Sequence, residues 1–254
     1  MKLRVLVVLS LFVAACCSYT TKASRPGATA DGGIPVTQPT LPSFPSLPGV
    51  PFQFFTSAPS KPAQKVECGA KVCVPTYVMR GSVTSESVQA MIDWMNQAKA
   101  GGAKAMVVEL DTKGGNVDEG HRLIRHIEDL GVPTHCVADH EAMSQGFAIL
   151  QACTRRYMTK RTQLMAHQPH VTMMLQGREQ DATNIAENMR TVARSHAEQC
   201  AARLRISTDE YVRRTEHGKD WFMTWQEAEQ VGAVDKVVPG VSHVREALRA
   251  GLQP

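Results

Sequence analysis

Hydrophobic positions change period several times between Tyr77 and Val238, and each change marks an element. Tyr77-Val-Met is a short apolar run that predicts a strand. Thr84 or Ser85 then caps a helix with Val88, Met91, Ile92 and Met95 on one face, ending at Gly101-Gly102. Ala105 to Leu110 is an unbroken apolar run, the mark of a strand buried on both faces. Val117 to Leu130 returns to a helical period with Leu123, Ile124, Ile127 and Leu130 inward, and Gly131 and Pro133 stop it. A strand over Thr134 to Ala138, a helix over Ser144 to Cys153 and a strand over Gln163 to Ala166 follow. A long helix spans Glu179 to Arg205. Ser207-Thr-Asp-Glu210 and Thr224-Trp-Gln-Glu227 fit the capping-box pattern for two short helices, and Val234 to Val238 closes with a strand. Repeated strand–helix units predict an α/β fold with a largely parallel sheet. There is no internal repeat.

The pattern begins late. Residues 26 to 62 hold nine of the fourteen prolines. Such a stretch lacks the donors for a ladder and reads as a disordered tether, able to reach on the order of 100 Å at ~3 Å per residue. Before it, Lys2 and Arg4 precede a short apolar stretch, Val5 to Val13, too short to cross a bilayer as a helix. This is the layout of an export signal. Val13-Ala14-Ala15-Cys16 resembles the bacterial lipobox, in which Cys16 would be lipidated and become the new N-terminus; an ordinary signal peptide cut nearby is the alternative. The chain thus divides into a signal segment (1–16), a Pro-rich linker (17–66) and a globular domain (67–254). The expected location is the bacterial periplasm, on a membrane through acyl chains rather than a span.

Export implies an oxidising compartment. Downstream of the signal lie Cys68, Cys73, Cys136, Cys153 and Cys200. Cys68 and Cys73 could close a small loop, Cys136 and Cys153 could pair, and the odd count leaves a thiol over. Near Cys68 and Cys73 the two further ligands of a zinc site are not evident. His121 and His126 lie five apart on one helix, roughly 140° around its axis, so they do not share a face. His167 and His170 have no evident third ligand. The net charge of +4 is spread out, with no basic run interleaved with aromatics, so nucleic-acid binding has no support.

Four segments carry candidate chemistry: Asp111-Thr-Lys-Gly-Gly-Asn-Val117, Ala142-Met-Ser-Gln-Gly146, Met165-Ala-His-Gln-Pro169 and Lys219-Asp-Trp-Phe222. In order they offer a glycine pair between strand and helix, a serine at a helix start, a histidine after a strand and a carboxylate. Together these are the parts of a serine acyl-transfer site. Singly each has a structural reading: a tight turn at Gly114-Gly115, an N-cap at Ser144, a structural histidine at His167 and a surface carboxylate at Asp220.

In this order the segments resemble the proteolytic subunit of the Clp protease family, from about Tyr77 to Val238. Leu164-Met-Ala-His-Gln-Pro169 is the most specific match, and Glu227-Ala through Gly232-Ala-Val-Asp235 is similar to the family's closing helix and strand. The resemblance implies a Clp protease/crotonase-like α/β fold of repeated strand and helix units with a protruding handle helix, here Glu179 to Arg205, that joins subunits. It also implies Ser144 as nucleophile, His167 as base, Asp220 as orienting carboxylate, and the backbone N–H groups of Gly115 and Gln145 as the oxyanion hole. No metal or cofactor is implied. Two departures stand out: Lys113 where the family usually has proline, and Gln145 where a small or apolar residue is common. They bear on the substrate groove more than on the triad.

The implied activity is a serine endopeptidase acting on peptides or unfolded chains, as a homo-oligomer. ATP is not expected outside the cytoplasm, so an ATPase partner is not expected either. Three alternatives remain: a serine–lysine dyad of the signal-peptide-peptidase kind with Lys160 as base, a crotonase-type enzyme acting on acyl-CoA, and a catalytically silent scaffold or binding lipoprotein of the same fold.

Overall fold

A computed structural model describes residues 9–11, 72–173 and 179–254 of the chain. Cys16, the proline-rich linker and Cys68 lie outside the described residues. Within the apolar N-terminal run, Leu9–Leu11 forms a strand, β1.

The domain is built on a seven-stranded sheet. Its strands are β2 (Thr76–Arg80), β3 (Met106–Thr112), β4 (Thr134–Met143), β5 (Arg155–Met158), β6 (Gln163–Ala166), β8 (Trp221–Met223) and β9 (Lys236–Val237). The main order is β2-β3-β4-β5-β9, all parallel. Strand β4 is long enough to serve two neighbours on one edge. Its first half pairs β5 from His135↔Arg155 to Ala138↔Met158, and its second half pairs β6 from Glu141↔Gln163 to Met143↔Met165. The break coincides with a bulge against β3, where the register jumps from Leu110↔Ala138 to Thr112↔Ala142. Bulges bend a strand and re-aim its side chains. Strand β8 then pairs β6 antiparallel. A further strand, β7 (Val171–Met173), pairs antiparallel with β1.

Both faces of the sheet are covered, which is why β3 and the start of β4 read as continuous apolar runs. Met106, Val108, Leu110, Cys136 and Ala138 point into the larger core, shared with α1 (Ser85–Ala100), α2 (Val117–Asp129) and α3 (Gln145–Ala152). The alternate residues Val107 and Val137, with Tyr157, face a smaller core under Val244 of α7 (Val241–Arg249). Local chemistry sets the helix starts. Thr84 caps α1 in a reciprocal box with Ser87, and Asn116 caps α2 through Glu119 N. Ser207 caps α5 (Thr208–Thr215) and Thr224 caps α6 (Trp225–Gln230).

Several boundaries differ from the sequence reading. The long helix, α4, spans Glu179–Ala201 and stops before Arg205, whose N–H instead bonds to Val231 O at 2.6 Å. Strand β4 runs five residues past Ala138. Strands β5, β7 and β8 carry too little periodicity to have been read, whereas helix α7 was missed although Val241, Val244 and Leu248 recur at helical spacing. The Glu227 carboxylate takes no part in a capping box: it accepts from Trp221 Nε1 at 3.0 Å and pairs with Arg214 at 2.9 Å.

Cys136 and Cys153 form a buried disulfide with Cα atoms 5.9 Å apart, tying β4 to the end of α3. Cys73 is also disulfide-bonded, and Cys200 is a buried free thiol pushed up to about 12 by burial. Arg156, almost fully buried, binds Asp235 at 2.6 Å and also donates to Gln151 Oε1, Gly232 O and Arg203 O, locking β5 to the segment before β9.

Candidate active site

Three adjacent strands end at one place. Ser144 is the first residue after β4, His167 the first after β6, and Asp220 the last before β8. The parallel register Met143↔Met165 puts Ser144 beside Ala166, and Ser144 N donates to Met165 O at 2.9 Å. The antiparallel register Ala166↔Trp221 carries on to set His167 opposite Asp220. Side chains scattered over 77 positions thus meet. His167 Nε2 lies 2.6 Å from Ser144 Oγ, and His167 Nδ1 lies 3.3 Å from Asp220 Oδ1.

Ser144 stands at the N-cap position of α3 without capping it through its side chain. Its hydroxyl makes no capping bond, and its backbone stands at φ 54, ψ −119. A non-glycine residue at positive φ costs of order 1–3 kcal/mol. The turn is held by its surroundings. Ser144 O accepts from Phe147 N at 3.0 Å, opening α3, and the Cys136–Cys153 disulfide brackets the turn. As the first residue of α3, Gln145 has an N–H that the helix itself cannot use.

The glycine pair comes alongside. A parallel bridge joins Val83 to Gly115 through Val83 N to Gly114 O at 2.9 Å and Asn116 N to Val83 O at 2.9 Å. That pattern leaves the N–H of Gly115 itself pointing away from Val83, on the side where β4 lies. Gly114 stands at φ +96, and a Cβ there would come within 2.8 Å of Gln145 N, Met143 O and Ser144 Cβ. The pair is therefore more than a tight turn: only a residue without a side chain can approach the serine this closely. Thr112 Oγ1 accepts from Gly114 N at 3.0 Å and fixes the turn from inside.

His167 is mostly buried and Asp220 is about half exposed. Burial holds the His167 imidazole below its ordinary value. His170, whose ring meets that of His167 edge-on at 4.9 Å, adds to the shift, and Asp220 opposes it. Asp220 is held through its neighbour. Trp221 packs edge-on against Tyr211 and under the Arg214 guanidinium at 4.6 Å, and it donates to Glu227. Behind the site, His196 of α4 sits 6.1 Å from His121 of α2, ring to ring, and burial pushes His196 down to about 4, so it stays neutral at neutral pH.

The other candidates lie elsewhere. Lys160 Nζ sits over the Trp225 ring at 5.0 Å, whereas Ser144 Oγ meets His167. Among the described residues, Asp111, His140 and Glu141 have ligand atoms close enough to share a metal ion. The Asp111 carboxylate there already meets Arg80 at 2.7 Å and His140 at 3.1 Å. Sequence reasoning missed Thr112, Met165 and Gly120. Gly120 had a readable signal: a glycine inside a helix costs up to ~1 kcal/mol against alanine, so it suggests a close approach.

No curated protein matches the chain. A family model described as Clp protease matches residues 76–240, from the start of β2 to just beyond β9, with Ser144, His167 and Asp220 inside the match. The chain belongs to the Clp protease family.

Proposed function

We propose that this chain is a serine endopeptidase with Ser144 as nucleophile, His167 as general base and Asp220 as the group that orients the imidazole. The observation that carries the reading is the continuous contact from Ser144 Oγ to His167 Nε2 at 2.6 Å and from His167 Nδ1 to Asp220 Oδ1 at 3.3 Å. With Nδ1–H donating to the Asp220 carboxylate, Nε2 is free to take the serine proton as Oγ attacks a peptide carbonyl. The imidazolium then protonates the leaving amine. The N–H groups of Gly115 and Gln145 receive the oxyanion, a contribution of roughly 3 kcal/mol for each donor in a preorganised site. Water, deprotonated by His167, releases the acyl group and restores Ser144. The depressed basicity of His167 keeps it neutral, and so ready, at neutral pH.

The substrates are peptides or already unfolded chains, cleaved without an ATPase partner. The protein works outside the cytoplasm, in the bacterial periplasm, anchored through acyl chains on Cys16. The disulfide between Cys136 and Cys153 supports an oxidising location. The active form is a homo-oligomer joined through α4. Ile185, Met189 and Val192 of that helix remain only partly buried in the single chain, whereas its last turns bury Ala197 and Cys200.

The test is a fluorophosphonate probe together with Ser144→Ala. The probe should label the wild type at Ser144, and the variant should neither label nor turn over an activated ester. Equal turnover by the variant rules the assignment out.

A further inference from the structure

We propose that the Gln145 side chain is a positioning group for the reaction, seated in a slot that Gly120 leaves open on α2. This rests on the peptidase reading above and assigns what places its oxyanion donor. Gln145 is 1% exposed, although glutamine usually faces water. A Cβ on Gly120 would lie 2.1 Å from Gln145 Cγ and Nε2 and 2.3 Å from Cδ, so the side chain rests directly on the α2 backbone. Gly120 lies within α2, where glycine is a poor helix former, and the slot accounts for it.

Among the described residues the Gln145 amide nitrogen has no hydrogen-bond partner, so the fit against Gly120 seats that end of the side chain. The same turn is clamped on its other side. A Cβ on Gly114 would reach within 2.8 Å of Gln145 N, and one on Gly146 within 2.5 Å of Thr112 Cγ2. The backbone N–H of Gln145 is thus fixed between the end of β3 and the flank of α2. Helix α2 is itself anchored in the core by Leu123, Ile124 and Ile127. A backbone donor survives every substitution except proline, but it can be displaced, and a shift of ~1 Å in a catalytic group can cost on the order of 100-fold in rate.

The experiment uses Gly120→Ala, Gln145→Ala and the double variant, reading kcat, KM and the NMR chemical shift of the Gln145-position backbone amide. Gly120→Ala should move that amide resonance and lower kcat by roughly tenfold or more, with KM within about twofold, because a transition-state contact is lost. Gln145→Ala, which empties the slot, should also lower kcat. The double variant, in which the new methyl refills the slot, should return kcat to within about threefold of wild type. An unmoved amide resonance in Gly120→Ala, or a double variant no faster than either single one, overturns the proposal. Should Gly120→Ala not fold, the double variant against Gln145→Ala carries the same test. A wild type inert to fluorophosphonate, with the amide resonance displaced as expected, sinks the peptidase reading and leaves the Gln145 seat standing.

Discussion

Reducing the Cys136–Cys153 disulfide should weaken the domain and its active site together. The bond joins residues 17 apart, and Ser144 lies near the middle of the loop it closes. One end is in β4 and the other is the residue that ends α3, so the loop contains the strand end, the strained turn and the whole of α3. Closing a loop of about this size removes roughly 3 kcal/mol of chain entropy from the unfolded state. Against a total stability of about 5–15 kcal/mol, that is a large share. With a urea slope of about 2 kcal/mol/M, the unfolding midpoint should fall by about 1.5 M. The assay is urea unfolding followed by tryptophan fluorescence, comparing oxidised wild type, wild type under thiol reductant, and Cys136→Ala/Cys153→Ala. Because Cys73 is disulfide-bonded too, the oxidised and reduced proteins are also compared in a Cys73→Ala background, which isolates this cross-link while both of its sulfur atoms still fill their buried sites. Fluorophosphonate labelling of Ser144 should slow in reduced protein at urea concentrations where it is still folded. Coincident midpoints for oxidised and reduced wild type would refute the reasoning.

The acid limb of kcat/KM should have an apparent pKa below about 6.5, the ordinary histidine value, because the base must be neutral and burial disfavours its charged form. An acid limb above that value contradicts the buried environment. Arg156→Met should cost about 2 kcal/mol in urea unfolding, since it removes the bonds that a buried guanidinium makes to Asp235 and to the carbonyls of Gly232 and Arg203. Burial alone would raise the Asp235 carboxyl, but Arg156 outweighs it and holds the group below its ordinary value. The pair's stabilisation is therefore complete above about pH 4 and lost as pH falls through the lower folded value. Arg156→Met should show a flatter acid dependence, and an unchanged one speaks against the pairing. Met189→Asp should reduce the oligomer measured by light scattering at micromolar concentration, whereas a wild-type monomer that cleaves substrate removes the need for assembly. Intact mass of membrane-extracted protein should show acyl chains on a chain beginning at Cys16, and a mature form beginning elsewhere without acyl mass rules the anchor out.

The segments legible in the sequence are those whose information is local. Helices α1 and α2 announce themselves by apolar residues at helical spacing, by Thr84 or Ser85 at the start of α1 and by Gly101 and Gly131 near their ends. The apolar run of β3 marks a buried strand because both its faces are covered. The four chemical segments, met in order, were enough to imply which serine, histidine and aspartate belong together. Some short strands were not legible: β5, β7 and β8, of three or four residues, contain too few repeats of any period.

What remained was decided by packing between segments far apart in the chain. The sequence alone determined the α/β alternation, because it rests on spacing within each segment, and the order of four segments, through the family resemblance, pointed to the candidate triad. Only the tertiary structure decided that β4 serves two neighbours across a bulge, and that three strand ends bring Ser144, His167 and Asp220 into contact. It also decided that Ser144 adopts a positive φ instead of capping α3, that Lys160 lies over Trp225, and that Gln145 rests on Gly120. Strand register and close approach between elements are set by the fit of whole surfaces, and no window of neighbouring residues contains both sides of that fit.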